Sequence, residues 1–320
     1  MGENNEADVR KLIKFGSSSF VISLPSSWVK IHGLKKGDNL YLNETDGRDL
    51  ILTASKDKKV REIKKAVINV NNKLLDRIKR EIISVYISGC THFVLEGDLK
   101  GYTEEIDKSL HNLMGLEVVE QTSERTIVKD FLDIEEVSVD DIFRRMDLIV
   151  RSMITDSKNC FNNQFYRQIN HRDITVNKLR FLMLRILNES LHNPRVMGAI
   201  QKSGMTVYDA WLLLINLEDI ADASRRIARL LKEKRFSPLE LKEINEVYNK
   251  IETSYLQAIK AFYKKDKDVA HKVADNKFMI VEKCDNLFKK TKNKWMVSIL
   301  EKFKGMESYV RNIARIVINQ

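Results

Sequence analysis

The chain has 320 residues, of which 43% are hydrophobic and 31% are charged, a composition that excludes a disordered chain and predicts two or three domains. Only three prolines and twelve glycines indicate mostly helix. The formal net charge of +10 allows a nucleic acid or an acidic surface as partner, and the alternative is a solvated lysine-rich surface.

The first segment, residues 9–58, is predicted to consist of short strands and turns. Apolar residues alternate over residues 20–24, the pattern of a strand with one buried face. A short helix over Trp28–His32 ends at Gly33, and Asp46-Gly47 is a hairpin turn between two further strands. Because these short strands cannot bury a sufficient core alone, we expect two copies to share strands in an interleaved dimer.

The same segment is strongly basic. Residues 9–37 contain no acidic residue, and their six Lys and Arg residues are Arg10, Lys11, Lys14, Lys30, Lys35 and Lys36. The order strand, Gly16, strand, Pro25, helical turn and Gly33-Leu34-Lys35-Lys36-Gly37-Asp38 resembles the SpoVT-AbrB family of swapped-hairpin DNA-binding domains. In that family two chains interleave their hairpins and present basic residues to DNA.

The resemblance implies a DNA-binding homodimer. The implied contacts to phosphates or the groove are Arg10, Lys11 and Lys30, with weaker backbone contacts at Lys14, Lys35 and Lys36. Two positions depart from the family pattern, since Ser17 follows the loop glycine and Val29 stands at a helix position that is often basic. These departures weaken the case for direct base reading more than the case for DNA binding. The alternative is that the module serves only as a dimerisation clasp.

The second segment, residues 60–136, alternates strands and helices. Its predicted strands are 66–70, 92–96, 116–120 and 126–131, and its predicted helices are 74–88 and 103–114. This βαβαββ pattern predicts a small α/β sandwich of roughly the ferredoxin-like kind. It has no glycine-rich phosphate loop, so we expect a role in spacing or dimerisation.

The third segment, residues 138–320, is predicted to be almost wholly helical. Breaks fall near Asn162-Asn163, Pro194, Gly204, Pro238, Asp266 and Asn293. They leave six helices of roughly 20–30 residues, with helix starts at Thr206 and Ser237-Pro238. Six long helices with short links predict two consecutive three-helix bundles, 138–235 and 236–320. Their similar lengths suggest an internal repeat.

Other features exclude further classes of protein. The cysteines Cys90, Cys160 and Cys284 are far apart and form no CxxC, which argues against a disulfide scaffold or zinc ribbon and fits a reducing cytosol. The polar residues 1–8 are expected to be a flexible terminus, not a signal peptide. The longest apolar run, 211–215, is far short of the roughly 20 residues of a membrane helix. We therefore expect a cytoplasmic protein without membrane insertion.

The helical segment carries one candidate site. No nucleophile or phosphate-loop motif is present, so we do not expect an enzyme. Glu218 and Asp222 are four residues apart on one helical face, and Asp173 and Asn177 have the same spacing on the preceding long helix. Packed side by side, they would form an oxygen cluster suited to Mg, Mn, Fe or Zn. The alternative is a solvated acidic helix face.

These two stretches resemble the PhoU family of phosphate-uptake regulators. Its members carry two three-helix repeats, each with an acidic metal-binding motif of spacing E/DxxxD on two helices. The resemblance implies metal ligands at the four positions above, although Asn177 stands where the family has an acid. In the second repeat Lys277 and Lys304 stand at acid positions, which implies that the second metal site is lost. These lysines could instead mark an anion site.

The order of the three segments resembles the fused regulators found in archaeal genomes. We expect a DNA-binding transcriptional regulator of phosphate uptake whose helical body senses a metal ion, another ion or a partner. The alternative is a PhoU-type adaptor that negatively regulates a phosphate transporter or sensor kinase, with the N-terminal module used only for dimerisation. A metalloenzyme is the third and weakest hypothesis, because three carboxylates have no obvious acid–base partner.

Overall fold

The computed structural model describes residues 9–45, 49–54, 64–160 and 163–320. The chain forms two compact units, Met1–Glu62 and Ile63–Gln320. The predicted flexible terminus at 1–8 and the predicted turn at Asp46-Gly47 lie outside the described residues.

The N-terminal unit consists of two hairpins and a short helix. Its elements are β1 (Ile13–Phe15), β2 (Ser19–Val21), α1 (Ser26–Ile31), β3 (Tyr41–Thr45) and β4 (Asp49–Thr53). β1 pairs antiparallel with β2, and β3 pairs antiparallel with β4. Gly16 opens the first turn at φ +74°, a left-handed conformation that favours glycine. The strand predicted over 20–24 ends early, at Val21, because β1 offers pairing partners only as far as Ile13.

The second unit begins with a two-layer α/β sandwich, as predicted. Its elements are β5 (Lys65–Asn69), α2 (Leu75–Ile87), β6 (His92–Glu96), α3 (Thr103–His111), β7 (Leu116–Gln121) and β8 (Arg125–Asp130). The sheet order is β5-β6-β8-β7, with β5 parallel to β6 and the other pairs antiparallel. The ferredoxin-like fold has the chain order βαββαβ, so the topology differs from the expected one. The topology differs because β7 and β8 form a hairpin, which places both strands on the same side of β6.

The core of this sandwich lies between the sheet and helices α2 and α3. Its largest fully buried side chains are Tyr86, Phe93, Ile78, Ile82, Leu95, Leu99 and Ile106. Gly115, which follows α3, has φ +86°, and a Cβ added there would lie 2.4 Å from Leu132 Cβ. Glycine at this position therefore lets the chain pass close beneath the segment that leads into the helices.

The rest of the second unit is helical. After a short 3₁₀ turn at Ile134–Glu136 come α4 (Val139–Ser157), α5 (Asn163–Ser190), α6 (Pro194–Lys202), α7 (Val207–Glu233), α8 (Pro238–Lys264), α9 (Lys267–Asp275), α10 (Lys277–Lys290) and α11 (Lys294–Asn319). The predicted starts of α7 and α8 are confirmed, since Thr206 and Ser237 each form a capping box with the acid three residues later. In the described part of the chain, no helix is long and apolar enough to cross a membrane.

Eight helices replace the six predicted in the described part of this segment. Pro194 opens the nine-residue helix α6, which is too short to count among the long ones. Asn276 both ends α9 and begins α10, so the helix predicted between the breaks near Asp266 and Asn293 is divided in two. Helices α6, α9 and α10 are therefore each shorter than the roughly 20 residues predicted for every helix of this segment.

The helices pack as two groups that share one core. Helices α4, α5 and α7 form the first group, and α8 to α11 form the second. Helices α7 and α11 pack along each other, and a hydrogen bond from Asn312 Nδ2 to Asn216 Oδ1, 3.2 Å long, joins them. One continuous hydrophobic cluster runs through both groups. The two predicted bundles are thus built into a single body.

Helix α5 also holds the sandwich against the helical body. The Arg185 guanidinium forms an ion pair with Asp130, and their side chains are only 1% and 0% exposed. The same guanidinium lies 4.8 Å from the centroid of the Tyr86 ring. One turn further, Asn188 Nδ2 donates to the Ile87 carbonyl at 3.2 Å. Both layers therefore share polar groups that water does not reach.

Removal of the buried carboxylate is expected to destabilise this unit strongly. In Asp130→Ala the Arg185 cation would stay buried without a counter-charge, so we expect the free energy of unfolding to fall by about 3–5 kcal/mol. Urea unfolding followed by circular dichroism measures this loss. The double variant Asp130→Ala/Arg185→Met removes both charges and should cost less than Asp130→Ala alone. A double variant less stable than the single one would contradict the assignment.

Candidate functional site

The N-terminal unit presents an exposed basic surface. Every residue predicted to contact DNA has an exposed side chain, namely Arg10, Lys11, Lys14, Lys30, Lys35 and Lys36. Lys14 is in the middle of β1, opposite Phe20, and Lys30 is in the last turn of α1. Lys35 precedes a turn in which its backbone N–H donates to Asp38 Oδ2 at 2.6 Å. The unit therefore offers cations from a strand, a helix and a turn.

The same unit leaves its apolar side chains uncovered. No described side chain of residues 9–54 is buried. Phe15 on β1 is 70% exposed and Ile31 at the end of α1 is 80% exposed, and several neighbours are similar. Soluble proteins rarely leave so many large apolar side chains in water over so short a segment. A single copy of this unit therefore lacks a core of its own.

The four residues predicted to bind metal lie where α5 packs on α7. Asp173 and Asn177 come from α5, and Glu218 and Asp222 come from α7. Asn177 Nδ2 donates to the Asp173 carbonyl at 3.0 Å and lies 3.4 Å from Asp173 Oδ2. Helix packing therefore brings the predicted residues to one face, and we call this group the acidic cluster.

Arginines supply the positive charge of the acidic cluster. Arg225 Nη2 lies 2.5 Å from Asp222 Oδ1, and Arg225 Nε lies 3.1 Å from Asp173 Oδ2. The second contact is an ion pair without a well-aligned hydrogen bond, since that buried Nε has no hydrogen-bond partner. Arg180 Nε lies 3.8 Å from Glu218 Oε2. The protein's own guanidinium groups thus occupy the space between the two acidic helices.

As arranged, the acidic cluster does not fit a divalent metal ion. Among the described residues, no group of three or more His, Cys, Asp and Glu side chains could hold one. Asn177 also turns its N–H₂ towards Asp173, which leaves only its Oδ1 as a possible ligand. The binding of Mg, Mn, Fe or Zn stays a prediction from the sequence, and elemental analysis of the purified protein tests it.

Two carboxyls of the acidic cluster, those of Asp173 and Glu218, have raised pKa values. Burial raises the pKa of Asp173, and the positive charge of Arg225 opposes that rise. Burial also raises the pKa of Glu218, against the opposing charge of Arg180. The arginines therefore offset part of the burial cost of these two carboxylates.

The second helical group has no equivalent cluster at its aligned positions. Lys304 Nζ lies 2.8 Å from Asp285 Oδ1 and 3.3 Å from Glu301 Oε1. These acids already neutralise Lys304, so the geometry gives no support to an anion site there. Lys277 Nζ lies 5.8 Å from the centroid of the Phe278 ring. Glu307 is buried nearby on α11, and burial raises its pKa.

The sequence interpretation missed the arginines that neutralise the acidic cluster. Arg225 and Arg226 follow Asp222 by three and four residues, the spacing at which helical side chains meet. That spacing was a usable signal for a local ion pair. The reach of Arg225 across to Asp173 depends on how α5 packs on α7, which spacing within one helix does not reveal.

Residues 13–60 match the family model described as antidote-toxin recognition MazE, bacterial antitoxin. No curated protein is significantly similar to the chain. The crystal structure of PhoU from Pseudomonas aeruginosa is similar to it, with 16% sequence identity and a TM-score of 0.46. That similarity covers 58% of this chain and 92% of the other. The N-terminal module is thus MazE/AbrB-like, as the sequence resemblance predicted.

The raised pKa of Glu218 predicts a pH-dependent effect of Glu218→Gln. A raised folded-state pKa means that the carboxyl opposes folding at neutral pH and that this cost disappears as pH falls below its unfolded-state value. We expect Glu218→Gln to have a Tm equal to or above wild type at pH 7, with the difference closing near pH ~4. Thermal unfolding across this pH range measures it.

Glu246→Gln is the matched control for this prediction. A hydrogen bond from Lys283 lowers the pKa of Glu246, so the sign is opposite and the substitution should not raise Tm at pH 7. If Glu218→Gln lowers Tm at pH 7, the ion pair with Arg180 outweighs the burial of the carboxylate.

Proposed function

We propose that this protein is a DNA-binding transcription regulator of phosphate uptake. The observation that carries the DNA component is the basic surface of residues 9–37 on a module that matches the MazE family. Its cations are exposed and its only described acid before β3, Asp38, accepts a hydrogen bond from the chain itself. Such a surface suits phosphate contacts. The phosphate component rests on the resemblance of the two acidic helical motifs to the PhoU family.

The regulator would act as a homodimer through its N-terminal module. Its exposed apolar residues need a cover, and a second copy provides a matching one by symmetry. The two hairpins are short enough to exchange between chains, as in the swapped-hairpin domains that the module resembles. Two copies would double the number of cations that face the duplex.

Helix α5 is the proposed element through which a ligand of the helical body acts. Asp173 and Arg185 lie 12 residues apart on this one helix, which is about 18 Å along its axis. Near its end, Glu189 Oε2 lies 3.4 Å from Lys64 Nζ, and Lys64 directly follows the segment that leads from the module. A ligand with different affinities for two positions of α5 would shift the balance between two arrangements of the regulator.

A second candidate function is that of a protein–protein adaptor. The observation in its favour is a groove of about 310 Å³ between α8 and α10. Amide and hydroxyl side chains line it, and Met279 at its edge is 56% exposed beside Phe278, which is 74% exposed. Exposed apolar side chains at a groove suit a protein partner such as a component of a phosphate transporter or sensor kinase.

The first test is DNA binding by a double variant of the module. We expect Arg10→Ala/Lys30→Ala to weaken binding to the protein's own promoter by at least about tenfold, because two phosphate contacts are lost. Fluorescence anisotropy at several salt concentrations measures the affinity and its salt dependence. Wild type should lose affinity steeply with salt, whereas binding of a protein partner should change little.

Lys260→Ala/Lys267→Ala is the control, since it removes two exposed lysines from the helical body. Sedimentation of all three proteins checks that they keep the same oligomeric state. Equal promoter binding by wild type and the module variant would refute the residue assignment, and binding by neither would favour the adaptor.

A further inference from the structure

The helical body has a second concentration of positive charge, which we call the basic end. It is formed by the end of α7 and by the turn between α10 and α11. Its members are Lys234, Arg235, Lys289, Lys290, Lys292 and Lys294. The two chain segments meet there, since Asn293 Nδ2 donates to the Arg235 carbonyl at 3.4 Å. The fold therefore collects cations that are more than fifty residues apart in the sequence.

An aromatic ring lies under two of these cations. The ammonium nitrogens of Lys234 and Lys294 are 4.4 Å and 4.9 Å from the centroid of the Trp295 ring. Trp295 is half-buried in the first turn of α11, so it is a fixed support. The ring attracts both cations without neutralising them. Both charges are thus held in place and stay available to an anion.

Acidic side chains do not compensate the basic end. In the described part of the chain, no ion pair joins any of its six members to a carboxylate, whereas Lys283 on α10 has one and Lys304 on α11 has two. Two acids lie close to the basic end without forming an ion pair with its members. Glu233 directly precedes Lys234, and Glu240 accepts the backbone N–H of Ser237 at 2.7 Å and a side-chain hydrogen bond from Asn293. The positive charge of this surface is therefore left for a partner.

The excess of positive charge continues along the α7–α11 pair. Lys302 is two helical turns after Trp295 and therefore on the same face of α11. It is half-buried, and burial together with the charges of Arg226 and Arg229 lowers the pKa of its ammonium group. Like charges crowded at a half-buried site cost stability, and a bound polyanion would relieve that cost.

We propose that the basic end binds the sugar–phosphate backbone of duplex DNA, as a contact additional to that of the N-terminal module. This proposal rests on the proposed function, in which the protein binds DNA. Duplex DNA presents one negative charge per roughly 1.7 Å of axis, so a surface with six cations matches several phosphates at once. Lysines at helix ends suit phosphates without selecting bases.

A nucleic acid fits this surface better than a lipid headgroup layer does. Membrane-binding surfaces of this kind insert apolar side chains beside their cations. Here the Trp295 ring lies beneath two lysines and is half-buried, so it supports charge and does not insert, and Phe288, 47% exposed, is a single exposed apolar side chain beside Lys289. DNA held by the module would also meet the basic end at a raised local concentration, so even weak contacts would add to affinity.

The test uses the full-length protein with four basic-end residues replaced. The variant is Arg235→Ala/Lys290→Ala/Lys292→Ala/Lys294→Ala, which leaves Lys234 on the Trp295 ring. The matched control is Lys260→Ala/Lys264→Ala/Lys267→Ala/Lys272→Ala, which removes four exposed lysines from α8 and α9. Affinity is measured by fluorescence anisotropy on duplexes of about 20 and about 40 base pairs, two and four helical turns, over a range of salt concentrations.

We expect the variant to bind the longer duplex about tenfold more weakly than wild type near 0.15 M salt, with a log–log salt slope smaller by about 3. The control should match wild type. The module variant Arg10→Ala/Lys30→Ala should lose affinity for both duplexes. The basic-end variant should no longer bind the longer duplex more tightly than the shorter one. If a variant has a lowered Tm, Lys290→Gln/Lys292→Gln gives the same comparison with half of the charge change.

Each other outcome overturns the proposal in a distinct way. If the basic-end variant equals the control while the module variant loses binding, the proposal fails and the proposed function stands. If wild type binds no duplex, both fail. If the variant loses only its retention on vesicles of anionic phospholipid, the surface serves a membrane. If it loses neither, the basic end binds neither DNA nor anionic lipid, and the proposal fails.

Discussion

The buried ion pair between Arg185 and Asp130 constrains the whole second unit. Its two charges are out of water, so neither residue can move without exposing or orphaning the other. Arg185 belongs to α5 and Asp130 closes β8, so the last strand of the sheet and the longest helix are fixed together. A buried ion pair of this kind fixes the positions of the two elements more than it raises the free energy of unfolding, because the cost of removing both charges from water offsets most of their attraction.

Helix α5 carries residues of both the acidic cluster and the contact with the sandwich. Its first half carries Asp173 and Asn177 of the acidic cluster, and its second half carries the contacts to the sandwich. Arg225 from α7 bridges the cluster where a metal ion was expected. A guanidinium held this way links α5 to α7 across the cluster. Regulation through this helix would then depend on what displaces or reinforces Arg225.

Local signals in the sequence predicted most elements, and long-range contacts account for what it missed. The capping residues Thr206 and Ser237 marked their helix starts correctly, because capping depends on neighbours three residues away. The order of the sheet strands was not predictable in the same way, since it depends on how the β7–β8 hairpin meets β6. The sequence predicted that Asp173 and Asp222 would lie close together. It did not predict that Arg225 would lie between them, because residue spacing does not give the direction of a side chain across two packed helices.

The shared core of the two helical groups has a consequence for how the chain can be divided. Helices α7 and α11 lie side by side within one continuous hydrophobic cluster, although the loop at 234–237 separates the groups in sequence. A break in that loop would therefore leave the packing and the Asn216–Asn312 hydrogen bond intact. The two groups should therefore behave as complementing fragments that reassemble when they are produced separately. Neither should occur as an independent domain in another protein.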